Sequence, residues 1–369
     1  MTQRVQICCS MIGRQSLQFL AIPPKLSSTD FLKKEFSMSR TVLVGLFLIG
    51  LQSAAQESHF AVHHRIPLSG GEGWDCLSVE STTDRLFVSR SNHVDVIDLK
   101  TEKVVGTISD HIDGAHAIAF VPNLNKGYIT SGKSGRVVVF DLSSLKVLKE
   151  VPADVGADII LFEPKTQRIF SFNGQSKTVT VIDVKTDTVI TSLHMDGKPE
   201  FAVEDSGKIY VNNEDRNRLE VIDAQSVALL APFPLPGCES PTGLSADGKS
   251  RRLFSVCDNE VMAITDMDTG KQVRTIKIDK GPDGSVFDAG YAFSSNGAGT
   301  LTVVREKNSQ SFEVVDRVKT QKGARTVAVN PKTHDLYLVA AKYEPLDQQN
   351  PKARPKIIAG SVELLVVKR

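Results

Sequence analysis

The chain has 369 residues, 44 of them basic and 43 acidic, for a formal charge of +1. That length supplies a large core, while the balanced charge lacks the basic excess of a general nucleic-acid binder. A single tryptophan, Trp74, also excludes a row of aromatic stacking platforms for single strands.

The first 37 residues show no period and carry Cys8 and Cys9; they read as an extended or non-native segment ahead of a start at Met38. Met38-Ser39-Arg40 is a basic n-region, 41–51 an uncharged apolar run, and Gln52-Ser53-Ala54-Ala55 a stretch of small residues. Together, 38–55 read as a secretory signal peptide cleaved after Ala55. The apolar run is too short for a membrane span, and no cysteine follows it for lipid attachment. The expectation is a periplasmic or extracellular protein with no membrane span after cleavage. Removing the six basic and two acidic residues of 1–55 leaves 38 basic and 41 acidic groups, a charge of −3.

From residue 56 to 369 one short aromatic-bearing strand recurs seven times, at Phe87, Tyr128, Phe170, Tyr210, Phe254, Phe293 and Tyr337. A period near 40 residues marks stacked supersecondary units, each needing its neighbours to bury its apolar faces. In phase with it, Asp98, Asp141, Asp183, Asp223 and Asp266 each end a β-branched run and lead into turn residues. Such aspartates accept bonds from nearby backbone amides and close turns. The units begin near residues 73, 114, 156, 197, 237, 281 and 323, and each reads as four strands, A to D. In the first unit these are 76–79, 86–88, 94–98 and 104–108.

The seventh unit supplies strands at 326–329, 336–339 and 361–367 and then lacks a fourth. An orphan strand at 60–67 precedes the first unit, and pairing it with the last would close the ring and remove an exposed sheet edge. The predicted fold is therefore all-β: a seven-bladed β-propeller whose N-terminal strand closes the last blade. Residues 343–360, with Pro345, Pro351 and Pro355, form a long B–C insertion in that blade.

The strand-B segments Lys208-Ile209-Tyr210-Val211-Asn212-Asn213 and Arg85-Leu86-Phe87-Val88-Ser89, each leading into a Val-x-Val-Ile-Asp-like run, resemble the YVTN repeat of YncE-like β-propellers. The resemblance covers roughly 60–369. Blade six departs from it, with Val304-Arg305-Glu306 where Ile-Asp is expected, and blade seven lacks the aspartate. It implies a seven-bladed fold and an exported or surface protein, and adds little about chemistry.

In a propeller the D–A and B–C loops surround one mouth of the central channel. Aligned on the small residue before each strand A, the D–A loops place Asp75, His116, Asp158, Glu200, Thr242, Asp283 and Arg325 in one register. The B–C loops add Arg90, Asn92, His93, Ser131, Asn173, Asn212, Asn213, Asn259, Asn296, Lys342 and Tyr343. The ligand-binding candidates are Trp74, Asp75, Arg90, His116, Asp158, Glu200, Asp283, Asn296, Arg325 and Lys342. A ring of convergent polar groups is the default binding hypothesis; the alternative is that the carboxylates are solvated or paired with Arg325, Arg90 and Lys342. Asp75, His116 and Asp158, from consecutive blades, are candidate ligands for a divalent cation. No cofactor is required by any motif. His63 and His64 are adjacent on a strand and are expected to face opposite sides.

Of the cysteines at 76, 238 and 257, the last two fall at one face of blade five and are expected to form a disulfide. Cys76 reads as a small buried hydrophobe. G-x-S-x-G, H-E-x-x-H and P-loop motifs are absent, so a non-catalytic binding module, monomeric, for a small ligand, an ion or a protein is the favoured function. The competing reading is a metal-assisted hydrolase of lactonase type, with Asp75, Asp158, Glu200, Asp283 and Asn296 as ligands and His116 as base.

Overall fold

A computed structural model describes residues 59–70, 73–345 and 356–369. The signal-peptide region and most of the 343–360 insertion lie outside these residues. Gln56–Arg369 forms one compact unit, built from seven antiparallel sheets. Among the described residues no helix is long and apolar enough to cross a membrane.

Blade one is Trp74–Glu80, Arg85–Arg90, Val94–Asp98 and Lys103–Ile108, hydrogen-bonded in that order. Blades two, three, five and six repeat the pattern. Blade four has its outer strand split into Ala228–Leu229 and Phe233–Pro234. Pro232 and Pro234 explain the split: neither can donate to a ladder, and such residues are tolerated only at a sheet edge. Blade seven is ordered Val327–Val329, Leu336–Ala340, Glu363–Lys368, Ala61–Pro67, so the first strand does latch the last blade. Just before it, Phe60 is buried, its ring edge-on to Tyr291 and Phe293 of blade six.

All seven repeated aromatics sit on strand B and are buried. In blades one to five strand B also ties the blade to the next. Arg85 donates to the Leu142 carbonyl, Lys126 to Val184, Arg168 to Ala224, Tyr210 Oη to Met267 and Arg252 to Ser309. Each acceptor belongs to the C–D turn of the following blade, so one strap recurs five times around the ring.

The five aspartates close the C–D turns of blades one to five, four of which also receive a strap. Asp98 Oδ1 accepts from the amides of Lys100 and Thr101, at 3.0 and 2.7 Å. Asp141, Asp183, Asp223 and Asp266 do the same for Ser144, Thr186, Ser226 and Thr269. At Asp98, Asp141, Asp183 and Asp223 the amide three residues on is the main influence and holds the carboxyl below its ordinary range. At Asp266 burial pushes the other way, and the Thr269 hydroxyl and amide overcome it. Blade six, without such an aspartate, runs its ladder on to Asn308 and Ser311 as two nine-residue strands.

The histidine pair corrects a simple alternation. A register shift between Val62 and His64 leaves His63 unpaired, and the two Nδ1 atoms lie 2.9 Å apart. A bulge adds one residue and so undoes the two-residue period locally. Comparable shifts mark the outer ladder of blades one, two, three, five and six, so His63 occupies a recurrent position.

Candidate functional site at the channel mouth

The mouth is built by a second recurrent bulge. In blades one to six the A–B register shifts just after the first residue of strand A: Trp74, Ala115, Ala157, Pro199, Pro241 and Pro282. The residue that follows falls inside the irregularity and is re-aimed. These residues are Asp75, His116, Asp158, Glu200, Thr242 and Asp283, with Arg325 in the matching place of blade seven. Their contacts cross blades, which shows that they converge. His116 Nδ1 lies 2.5 Å from Asp75 Oδ2 and 3.5 Å from Asp158 Oδ1. Arg325 reaches Asp283 at 3.2 Å and Asp75 at 3.9 Å.

Their backbones are braced by strand-B side chains and, at Asp75, by Thr326 just before strand A of blade seven. Thr130 Oγ1 donates to the Asp158 carbonyl and accepts from the Ala117 amide, joining the strands that carry His116 and Asp158. Asn212 bonds the Thr242 carbonyl, Ser295 the Arg325 carbonyl, and Thr326 the Asp75 carbonyl. On the side of blades five to seven the inner strands nearly touch. A Cβ on Gly243 would lie 2.4 Å from the Asp283 carbonyl oxygen, so only glycine allows that approach.

Acidic groups crowd the mouth. Burial pushes Asp158 up to about 6, with His116 pulling the other way. Asp283 is likewise pushed up to about 6 by burial, with Arg325 opposing. Glu200 is raised by burial despite Lys198 at 2.5 Å. Burial disfavours the charged form of His116, but the hydrogen bond to Asp75 and the charges of Asp158 and Asp75 outweigh it and raise its pKa. The pattern is that of carboxylates gathered in a partly enclosed space with too few cations.

Two candidates turn out to serve their own blades. Arg90 is buried, with Nη1 3.0 Å from Asp95 and a further bond to the Ser69 carbonyl. Asn296 is buried and donates to Thr300 and Thr302. Both end strand B, where the side chain turns to strand C, as Asn173 and Asn213 also do. Trp74 packs on an apolar cluster that includes Leu77 and Val88, and its Nε1 has no hydrogen-bond partner among the described residues. Lys342 is exposed, held through its backbone by Ser361. Tyr343 pairs with Ile357 in an isolated bridge.

Cys238 and Cys257 are joined by a disulfide between the D–A loop and the end of strand B in blade five. Cys76 is free and buried, its thiol pushed well up by burial and then by Asp75, Asp158 and Asp283, which makes it a poor nucleophile.

Sequence reading missed Lys198 and Glu214. Lys198 Nζ sits 2.5 Å from Glu200 and 2.6 Å from Glu214, bridging blade four's two mouth loops. The signal was available: most units carry glycine at this place in the register (73, 114, 156, 281, 323), and Lys198 breaks the series.

No family model matches the chain, and no curated protein matches it. Solved structures do. "Structure of U3-55K" aligns with a TM-score of 0.67 at 9% identity, over 82% of this chain and 97% of that one. "Crystal structure of RRP9 WD40 repeats" aligns with a TM-score of 0.68 at 9% identity, over 83% and 97%. At this identity the likeness shows a shared WD40-like propeller fold alone. The YVTN resemblance rests on the repeat residues and has no matching family model behind it.

Proposed function

We propose that this chain is an exported, non-catalytic propeller of YVTN type whose channel mouth binds a small cationic ligand. One observation carries the reading: a recurrent bulge aims six strand-A residues at one mouth, and the set is net acidic. Asp75, Asp158, Glu200 and Asp283 stand there with Glu214, against Arg325, Lys198 and His116. A rigid torus with chemically varied side chains in a single register is a scaffold on which a site is set without altering the fold. The hydrolase reading is weaker, because His116 is drawn toward its protonated form by two carboxylates and Asn296 lies within its blade.

The test is a thermal-shift and calorimetric screen of the purified chain with polyamines, amino alcohols and basic dipeptides, beside matched anions. Cationic members are expected to bind, and the Glu200→Gln/Asp283→Asn double variant to bind at least tenfold more weakly. Equal binding of anions, or full affinity in the double variant, would overturn the reading.

A further inference from the structure

The mouth is not uniform around its circumference. One arc carries Arg325 against Asp283 and Lys198 against Glu200, so each of those acids has a permanent cation beside it. The arc of blades one to three is less well supplied: Arg325 reaches Asp75 only at 3.9 Å, and among the described residues no arginine or lysine pairs with Asp158. There Asp75, His116 and Asp158 each offer a ligand atom, and the three atoms lie within 4.8 Å of one another. The sole shared partner is His116 Nδ1, one atom facing two carboxylates. An imidazole has at most one proton at Nδ1, and in the imidazolium or the Nδ1–H tautomer that proton serves Asp75 at 2.5 Å. The Asp158 carboxylate is left with Nδ1 at 3.5 Å and accepts no hydrogen bond among the described residues. It is a half-buried carboxylate that faces the cluster with His116 as its nearest cation.

We infer that Asp75, His116 and Asp158 form a binding site for one divalent transition-metal ion of the zinc type. The inference rests on reading the mouth as a binding site, and it specifies what one arc of it takes. One imidazole nitrogen with two carboxylate oxygens suits zinc better than calcium, which needs six to eight oxygens. With bonds of about 2.0–2.1 Å, tetrahedral ligands stand about 3.3 Å apart. The Nδ1–Asp158 separation of 3.5 Å already fits that edge. The Nδ1–Asp75 contact has to open by roughly 0.8 Å as the ion replaces the proton between them. Coordination displaces the Nδ1 proton, to solvent from the imidazolium or to Nε2 from the neutral ring, so that a neutral imidazole is the ligand, and water completes the fourth position.

The backbone is prepared for this. Thr130 Oγ1 ties the Ala117 amide, beside His116, to the Asp158 carbonyl, and Thr326 Oγ1 holds the Asp75 carbonyl at 2.7 Å. These bonds fix the backbone that carries the ligands, so losing one is expected to weaken the site less than losing a ligand.

The experiment uses the full purified chain, freed of metal by chelator, with Zn²⁺ and Co²⁺ as the probes. Titration is expected to give one strong site per chain and a Co²⁺ absorption band of low-coordinate type. In the unmodified protein, one imidazole is expected to shift its Nδ1 signal in ¹⁵N NMR on Zn²⁺ addition. Asp158→Asn and His116→Gln are expected to lose about a hundredfold or more in affinity, and Thr130→Val about tenfold. The His63/His64 pair beside Glu102 is the competing place for the ion, so His63→Ala is the control and is expected to change nothing. Loss of the strong site in His63→Ala, or its survival in His116→Gln, would overturn the inference, as would absence of the NMR shift. If Zn²⁺ fails while the cationic ligands still bind through Glu200 and Asp283, the metal inference alone falls. If both fail, the reading of the mouth falls with it.

Discussion

Two rings of repeated residues face different ends of this propeller. At the C–D turns the residue type is kept: Asp98, Asp141, Asp183, Asp223 and Asp266 all accept backbone amides in one geometry. At the mouth the geometry is kept and the residue type varies, from Asp75 and His116 to Glu200, Thr242 and Arg325. The electrostatics diverge accordingly. The turn carboxyls are held below their ordinary range by donors, while Asp158, Glu200 and Asp283 are pushed above it by burial. Turn acids therefore stabilise the fold when ionised, and mouth acids oppose it. Within one chain, a position that repeats its chemistry serves the architecture, whereas one that repeats only its placement is free to carry a site.

The contrast can be broken in three ways, beginning with the largest effect. The mouth has no uniform turn to tie it, and in blade five a disulfide does so across a sequence separation of 19 residues. Cys238→Ser with Cys257→Ser is expected to cost about 3 kcal/mol of unfolding free energy by loss of that loop constraint. Denaturant unfolding measures it, and an unchanged midpoint would show that the mouth is held by its inter-blade carbonyl bonds instead.

Next comes the turn ring. Asp266 pairs at 2.7 Å with Arg252, a nearly buried guanidinium that also straps blade five to six. Asp266→Ala is expected to cost about 2 kcal/mol, because the buried arginine loses its charge partner along with the turn. A cost no greater than that of an unrelated surface change would reduce the aspartate to a local cap.

The smallest effect has the opposite sign. Asp283 takes up its proton near pH 6 when folded and near its ordinary value of 3.8 when unfolded. Its ionisation therefore removes stability as pH rises between those values, and the loss is complete above about pH 7. Asp283→Asn is expected to raise the thermal midpoint at neutral pH and to match the parent below about pH 3.5. The turn aspartates act the other way: they contribute above their unfolded pKa, and the contribution disappears as acid reaches their depressed folded values. A destabilised Asp283→Asn at neutral pH would make that residue a structural partner of Arg325.

Much of this was legible because it depends on period. Strand B is marked by its aromatics, the C–D turns by aspartates, and the mouth register by the small residue before strand A. What escaped depends on bulges and strand ends, which periodicity does not report. His63 and His64 were expected apart and touch, since His63 is itself the extra residue of a bulge. Arg90 and Asn296 were expected over the channel, but as the last residues of strand B they bond inward to strand C. Lys198 was missed because the register was searched for what recurs, and it is one of two departures, with Ser240, from a glycine series. Residue chemistry named the acids of the mouth, but only the coordinates show which of them have a resident cation.

The latch between Ala61–Pro67 and Glu363–Lys368 has a consequence for how the molecule is made. These partners are separated by about 300 residues, so the pairing that completes the torus is the most distant strand pairing among the described residues. Until the last strand is available, the first has no mate, and six finished blades form an open arc with a bare edge at either end. Such an arc invites pairing with another copy, so misassembly is most favoured while the seventh blade is incomplete.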